Sequence, residues 1–189
     1  ELLPTWLRFV KGVIDSSDLP LNVSREILQQ NKVMAKIKSN SVKKVLDKIK
    51  TIAKNKDKYE GFYNEFGRLL KEGVYQEFEH KEALTELLRF KSTKEDGFVS
   101  LQEYVDRMGS DQESIYYITG TNELALRNSP LLEMYKKKDI EVLILDDEID
   151  EIIMPSVPTF KEKSLKSVNR SGAADELNKD DNKDRKDEL

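Results

Sequence analysis

Two short, almost unbroken apolar runs constrain this chain more than any other feature: Ile115-Tyr116-Tyr117-Ile118 and Ile140-Glu141-Val142-Leu143-Ile144-Leu145. Each interrupts a helical period and reads as a buried strand. Between them lie helical segments around Asn122–Arg127 and Pro130–Lys138, the second with Ser129 as cap and Pro130 at its first position. Strand, helix, strand over about 30 residues is a βαβ unit, so the two strands are predicted to be parallel. Leu165–Val168 is expected to add a short edge strand.

Upstream the pattern is mostly helical. Trp6 to Ile14 alternates apolar and basic positions at first and predicts a half-buried strand. After a loop punctuated by Pro20 and Asn22, Ser24 is the expected cap of a long helix. Its stripe is Ile27, Met34, Ile37, Val42, Val45, Leu46, Ile49 and Ile52, ending near Lys54. Asp57 and Glu60 are expected to box a second helix carrying Tyr59, Phe62, Tyr63, Phe66, Leu69 and Leu70, with Gly73 ending it. A third runs near Lys81–Arg89, with Ala83, Leu84, Leu87 and Leu88 on one side, completing a small bundle. Residues 91–97 read as a loop, after which Ser100 and Glu103 box a further helix. From Asn169 onward large apolar residues almost vanish, so the tail is expected to be a disordered linker.

The charge balance, Lys+Arg 32 against Asp+Glu 36 in 189 residues, gives no long-range pull toward nucleic acid or anionic lipid. Cysteine is absent, which excludes disulfides and thiolate metal sites and fits a reducing compartment. No apolar run approaches the roughly 20 residues that span a bilayer. The expectation is a cytoplasmic chain without membrane or nucleic-acid partners. The opening residues Glu1 to Trp6 read as the interior of a larger protein.

Several groups of residues invite chemistry. The acidic run Asp146-Asp147-Glu148-Ile149-Asp150-Glu151 follows a parallel strand, where ligands gather in open α/β folds. It reads as the acidic first turn of a helix, with a magnesium or phosphoryl-receiver site at Asp146 and Asp147 as the alternative. Gly120 alone is an ordinary turn rather than a phosphate cradle. His80 lacks a second histidine or a cysteine for a metal site, and no metal is expected. The lysines of the long helix (Lys32, Lys36, Lys38, Lys43, Lys44, Lys48, Lys50) read as a solvated face. Arg25 stands apart. A guanidinium has no dipole benefit at a helix start, yet free N–H groups and Gln29 one turn on suit an anion there. From pattern alone an anion contact and a plain surface residue weigh equally.

The run from Phe9 to Gln29, with Ser16-Ser17-Asp18 and Val23-Ser24-Arg25-Glu26-Ile27-Leu28-Gln29, closely resembles the middle segment of the ninety-kilodalton heat-shock chaperones, most like their bacterial form. Leu87-Leu88-Arg89-Phe90, Ser100-Leu101-Gln102-Glu103-Tyr104-Val105, Ile115-Tyr116-Tyr117-Ile118-Thr119-Gly120 and Glu141-Val142-Leu143-Ile144-Leu145 match further blocks in order. The likeness covers about residues 2–168.

The resemblance implies an α/β fold: the end of one α/β subdomain with a catalytic loop and long helix (1–54), a helical connector (55–90), a small α/β/α subdomain (91–168) and a charged linker (169–189). It implies a module that assists ATP hydrolysis by a separate N-terminal domain, where ATP and magnesium are mainly bound. Arg25 matches the arginine that reaches the γ-phosphate and Gln29 its support, while this piece alone is expected to be inactive. It also implies partners: the N-terminal ATPase domain, a C-terminal dimerisation domain of a homodimeric parent, and unfolded clients. The client contact falls at Glu151, Ile152 and Met154. The terminal Lys186-Asp187-Glu188-Leu189 spells a retention signal, but following the middle segment directly it is expected to be a cut through an acidic linker.

Overall fold

The computed structural model describes residues 2–17, 32–170, 172–175 and 177. The chain divides into two compact units, Glu1–Leu87 and Leu88–Leu189.

In the first unit, a 3-10 turn at Thr5–Leu7 precedes α1 (described over Lys32–Ala53), α2 (Lys56–Gln76) and α3 (Lys81–Leu87). The strand expected from Trp6 is not formed. Trp6 and Leu7 are neighbours in sequence and both are buried, which a turn permits and the half-buried pleat expected here would not. Leu7 N–H bonds to the Pro4 carbonyl (2.9 Å), Arg8 to Thr5 (3.1 Å) and Val10 to Leu7 (2.9 Å), so backbone groups that a ladder would need are used locally.

The Trp6 indole explains a second departure. Gly73 does not end α2, which continues to Gln76. A Cβ on Gly73 would lie 2.8 Å from Trp6 Cδ2 and 3.2 Å from Leu84 Cδ1, so the missing side chain is what lets the indole approach the helix. Trp6 Nε1 donates to Glu77 Oε2 at 3.2 Å, and Arg8 makes a fork to Glu72 at 2.6 and 3.0 Å.

At its other end α2 is capped by Asn55, whose side chain accepts from Lys58 N–H at 3.0 Å. The Asp57–Glu60 box is therefore not the cap; the helix begins at Lys56, before Asp57. Val42, Leu46 and Ile49 of α1 are buried, as are Tyr59, Tyr63, Leu70 and Val74 of α2. Phe62 and Phe66 are half-buried and turn toward Phe9, which stacks on Phe66 with centroids 4.5 Å apart and meets Phe62 edge-on at 5.8 Å. Tyr59 Oη ties α2 to α3 by donating to the Leu87 carbonyl at 2.5 Å. The expected helix start at Ser24 lies outside the described residues.

The second unit is a six-stranded mixed sheet of order β2-β1-β4-β3-β6-β5. The strands are β1 Phe90–Ser92, β2 Phe98–Val99, β3 Ser114–Thr119, β4 Val142–Leu145, β5 Thr159–Phe160 and β6 Lys163–Ser167. The expected βαβ unit is present: β3 and β4 are parallel, with Tyr116 opposite Val142 and Ile118 opposite Ile144. The helices are α4 (Leu101–Arg107), α5 (Glu123–Arg127), α6 (Glu133–Lys137) and α7 (Glu148–Ile153). Ser100 and Glu103 form the predicted capping box of α4. The single helix expected over Pro130–Lys138 opens as a 3-10 turn, Pro130–Leu132, before α6.

Three expectations fail in this unit. Residues 91–97 are not simply a loop: β1 and β2 pair across them, turning at Gly97 with φ 77°. Strands of three and two residues are too short to display alternation. β6 is not an edge strand, because it lies parallel to β3 on one side and takes β5 on the other. Its partner is two residues long and leaves no pattern to find. Finally, the tail does not leave the fold at Asn169. Asn169 Oδ1 accepts from Thr119 N–H (2.9 Å) and its Nδ2 donates to the Thr119 carbonyl (3.1 Å). Leu177 is buried with Tyr116, Ile118, Leu126, Leu132, Tyr135, Val142, Ile144 and Val168, and its carbonyl accepts from Lys138 Nζ. One leucine in a polar stretch is enough to anchor it where an apolar sheet face awaits.

Candidate functional site at the carboxyl ends of the parallel strands

β3 and β4 end side by side at Thr119 and Leu145, and Gly120 N–H bonds to the Leu145 carbonyl at 3.1 Å. Gly120 serves packing: a Cβ there would lie 2.7 Å from Leu126 Cδ2. β1 runs antiparallel on the far side of β4 and brings Lys91 to this edge. Lys91 Nζ lies 2.6 Å from Asp146 Oδ2 and 2.8 Å from Glu123 Oε2, while Arg127 Nε holds the other Glu123 oxygen at 2.9 Å. Arg127 also donates to the Ser92 carbonyl at 2.8 Å. Burial alone would lower the Lys91 ammonium, but its bonds to Asp146 and Glu123 prevail and raise it above the usual lysine range. The Lys91 and Arg127 bonds hold the Glu123 carboxyl below its usual range. The carboxyl edge of these strands thus carries a closed ion network.

The rest of the acidic run belongs to α7. Asp147 is its N-cap, accepting from Ile149 N–H at 3.3 Å, and Asp150 Oδ2 accepts from Asp147 N–H at 3.2 Å. These partners match the acidic-first-turn reading and turn the carboxylates of the receiver alternative toward protein groups. Among the described residues no group of three or more His, Asp or Glu side chains is placed to hold a metal ion. α7 then presents Glu151 and Ile152 outward, Ile152 at 58% exposure. Met154, expected beside them, is 3% exposed and packs inward behind Ile152.

A second network fixes the other end of β4. Glu141 is 5% exposed, and Arg107 grips it with Nε at 3.0 Å and Nη2 at 2.7 Å. Ser92 Oγ donates to Glu141 Oε1 at 2.5 Å, and Tyr104 Oη donates to the Glu141 carbonyl at 2.6 Å. The glutamate carboxylate raises the Arg107 guanidinium further, and burial raises the Tyr104 phenol far above its usual range. Neither Arg107 nor Lys91 stands out in the sequence. The available signal was Glu141 itself, a carboxylate inside an apolar run, which demands a buried cation.

Arg25 and Gln29 lie outside the described residues. Of the other candidates, His80 directly precedes α3, its carbonyl accepting from Leu84 N–H at 3.0 Å, with Nε2 4.0 Å from Glu79 Oε2. Lys32, Lys36, Lys38, Lys43, Lys44 and Lys48 are exposed along α1, and Lys50 stands 3.6 Å from Glu86. No helix among the described residues is long and apolar enough to cross a membrane.

The chain is similar to "Chaperone protein HtpG" of Treponema denticola, 58% identical over 183 residues that cover 94% of this chain and 29% of the relative. The same-named protein of Borreliella burgdorferi is 53% identical over 183 residues (96% and 30%), and that of Aliarcobacter butzleri 60% identical over 171 residues (89% and 27%). The chain therefore spans under a third of the length of these relatives. The sequence model of the family described as Hsp90 protein matches residues 1–189, and this chain belongs to that family.

Proposed function

We propose that the chain is the middle-segment module of an ATP-dependent molecular chaperone, cytoplasmic and homodimeric in its complete form. In this reading residues 1–54 carry the catalytic loop and long helix, 55–90 the connector and 91–168 the small α/β/α subdomain, onto which Asn169 and Leu177 also pack, and the charged tail leads toward a dimerisation domain. ATP and magnesium are held mainly by a separate N-terminal domain. The observation that carries the reading is the family match along the whole chain.

The chain's own contribution to hydrolysis is Arg25. Its guanidinium supplies a planar pair of donors to phosphate oxygens presented by the other domain, and Gln29, four residues on, steadies it. Bound ATP supplies the transferable phosphoryl group, and a cation brought from elsewhere stabilises charge spreading over it. Arg25→Ala in the complete protein tests this role through its turnover.

The second contribution is contact with unfolded clients at Glu151 and Ile152, with Met154 supporting the helix from behind. An isoleucine left half-exposed on a short helix, with its cap and β4 rigidly held, is a fixed apolar contact for a loosely folded partner. Ile152→Ser is expected to weaken binding of a labelled, permanently unfolded protein by about tenfold without moving the melting temperature. Unchanged binding removes Ile152 from the client contact.

A further inference from the structure

The first unit exposes two large aromatic side chains that its fold does not use. Phe78 is 95% and Tyr75 62% exposed, three residues apart where α2 gives way to the link with α3. Isolated exposed apolar residues are ordinary, but two exposed aromatics within four residues of a highly charged stretch point to a contact site. Burying a phenylalanine is worth about 1.5–3 kcal/mol, so leaving this one in water forgoes stability the fold had available.

Their surroundings are acidic. Between Tyr75 and Glu82 the chain carries Glu77, Glu79 and Glu82 against Lys81 alone, and Glu79 and Glu82 are exposed. Glu77 accepts from Trp6 Nε1 and Glu79 accepts from Ser39 Oγ at 3.0 Å, so both carboxylates are tied to the fold beside the aromatics. Lys38 of α1 lines the neighbouring cleft with Glu77, Glu79 and His80 and bounds the acidic region on that side.

We propose that Tyr75 and Phe78, with Glu77, Glu79 and Glu82 beside them along the chain, form a docking patch for polypeptide segments in which arginine or lysine alternates with apolar residues. The aromatic faces take an apolar side chain or the flat of a guanidinium, and the carboxylates select the cation. The patch lies in a different unit from α7 and shares with the client reading only the premise that the chain meets unfolded polypeptide.

The test titrates short fluorescent peptides, one alternating arginine with leucine and one alternating glutamate with leucine, into the whole chain carrying Ile152→Ser, which removes the α7 contact. Phe78→Ser in this background is expected to weaken the arginine peptide about tenfold or more while the melting temperature stays put, since Phe78 packs against little. Glu79→Gln with Glu82→Gln is expected to weaken the arginine peptide and narrow its advantage over the glutamate peptide. Equal binding of the arginine peptide with and without Phe78, or equal affinity of the parent chain for both peptides, overturns the proposal. Self-association that Phe78→Ser abolishes, with peptide binding unchanged, assigns the patch to a second copy of this chain and also overturns it. An Ile152→Ser change that has no effect of its own sinks the α7 contact and leaves this patch standing.

Discussion

Glu141 is the residue at which composition and structure collide. A carboxylate at the mouth of a buried strand is tolerable only because Arg107 forks onto it, Ser92 donates to it and Tyr104 fastens its carbonyl. Removing the cation leaves an uncompensated buried charge, so Arg107→Met is expected to cost about 3 kcal/mol, read from the urea midpoint. Glu141→Gln added to it should recover much of that loss, because a neutral amide no longer needs the guanidinium. A loss under about 0.5 kcal/mol for Arg107→Met means the pair contributes nothing. Lys91, Glu123 and Asp146 are a milder case: part-exposed charges whose pairing contributes little to stability. None of these partners was legible from spacing, because each joins residues tens of positions apart.

At the scale of elements, what could be read depended on how many turns or pleats each displayed. The parallel β3–β4 pair was legible because both runs are apolar throughout, and the α4 box because both members stand at fixed spacing. The β1–β2 hairpin, β5 and the inner position of β6 were not, since strands of two or three residues leave no period. Gly73 misled for a different reason. Glycine late in a helical pattern ordinarily marks its end, but here it makes room for an indole brought from far up the chain. Gly73→Ala is therefore expected to destabilise the first unit by about 1–3 kcal/mol despite alanine's better helix propensity. Trp6 fluorescence against denaturant would register it. A neutral or stabilising effect would mean that the indole shifts freely and that Gly73 has no packing role.

For the whole molecule, the two units carry different parts of the proposed activity. Arg25 belongs to the sequence of the first, and the second offers a mixed sheet with α7 following β4. The α/β class and the family were legible in the sequence, the family through separated blocks agreeing in order. The outward side of α7 was legible only in part, since nothing in Ile152-Ile153-Met154 tells which side chain points outward; packing decides that, and it buries Met154. In the proposed function this chain lends a cation to phosphoryl transfer in another domain. Its most direct test is steady-state ATP turnover of the complete protein with Arg25→Ala, alongside nucleotide affinity and melting temperature. The account predicts kcat falling steeply, toward the ~10³-fold scale of arginine fingers or less where domain closure limits the rate. Nucleotide affinity should change far less, and Arg25→Lys should recover activity only in part. Turnover unchanged in Arg25→Ala, or lost only in step with a collapsed melting temperature, would contradict it.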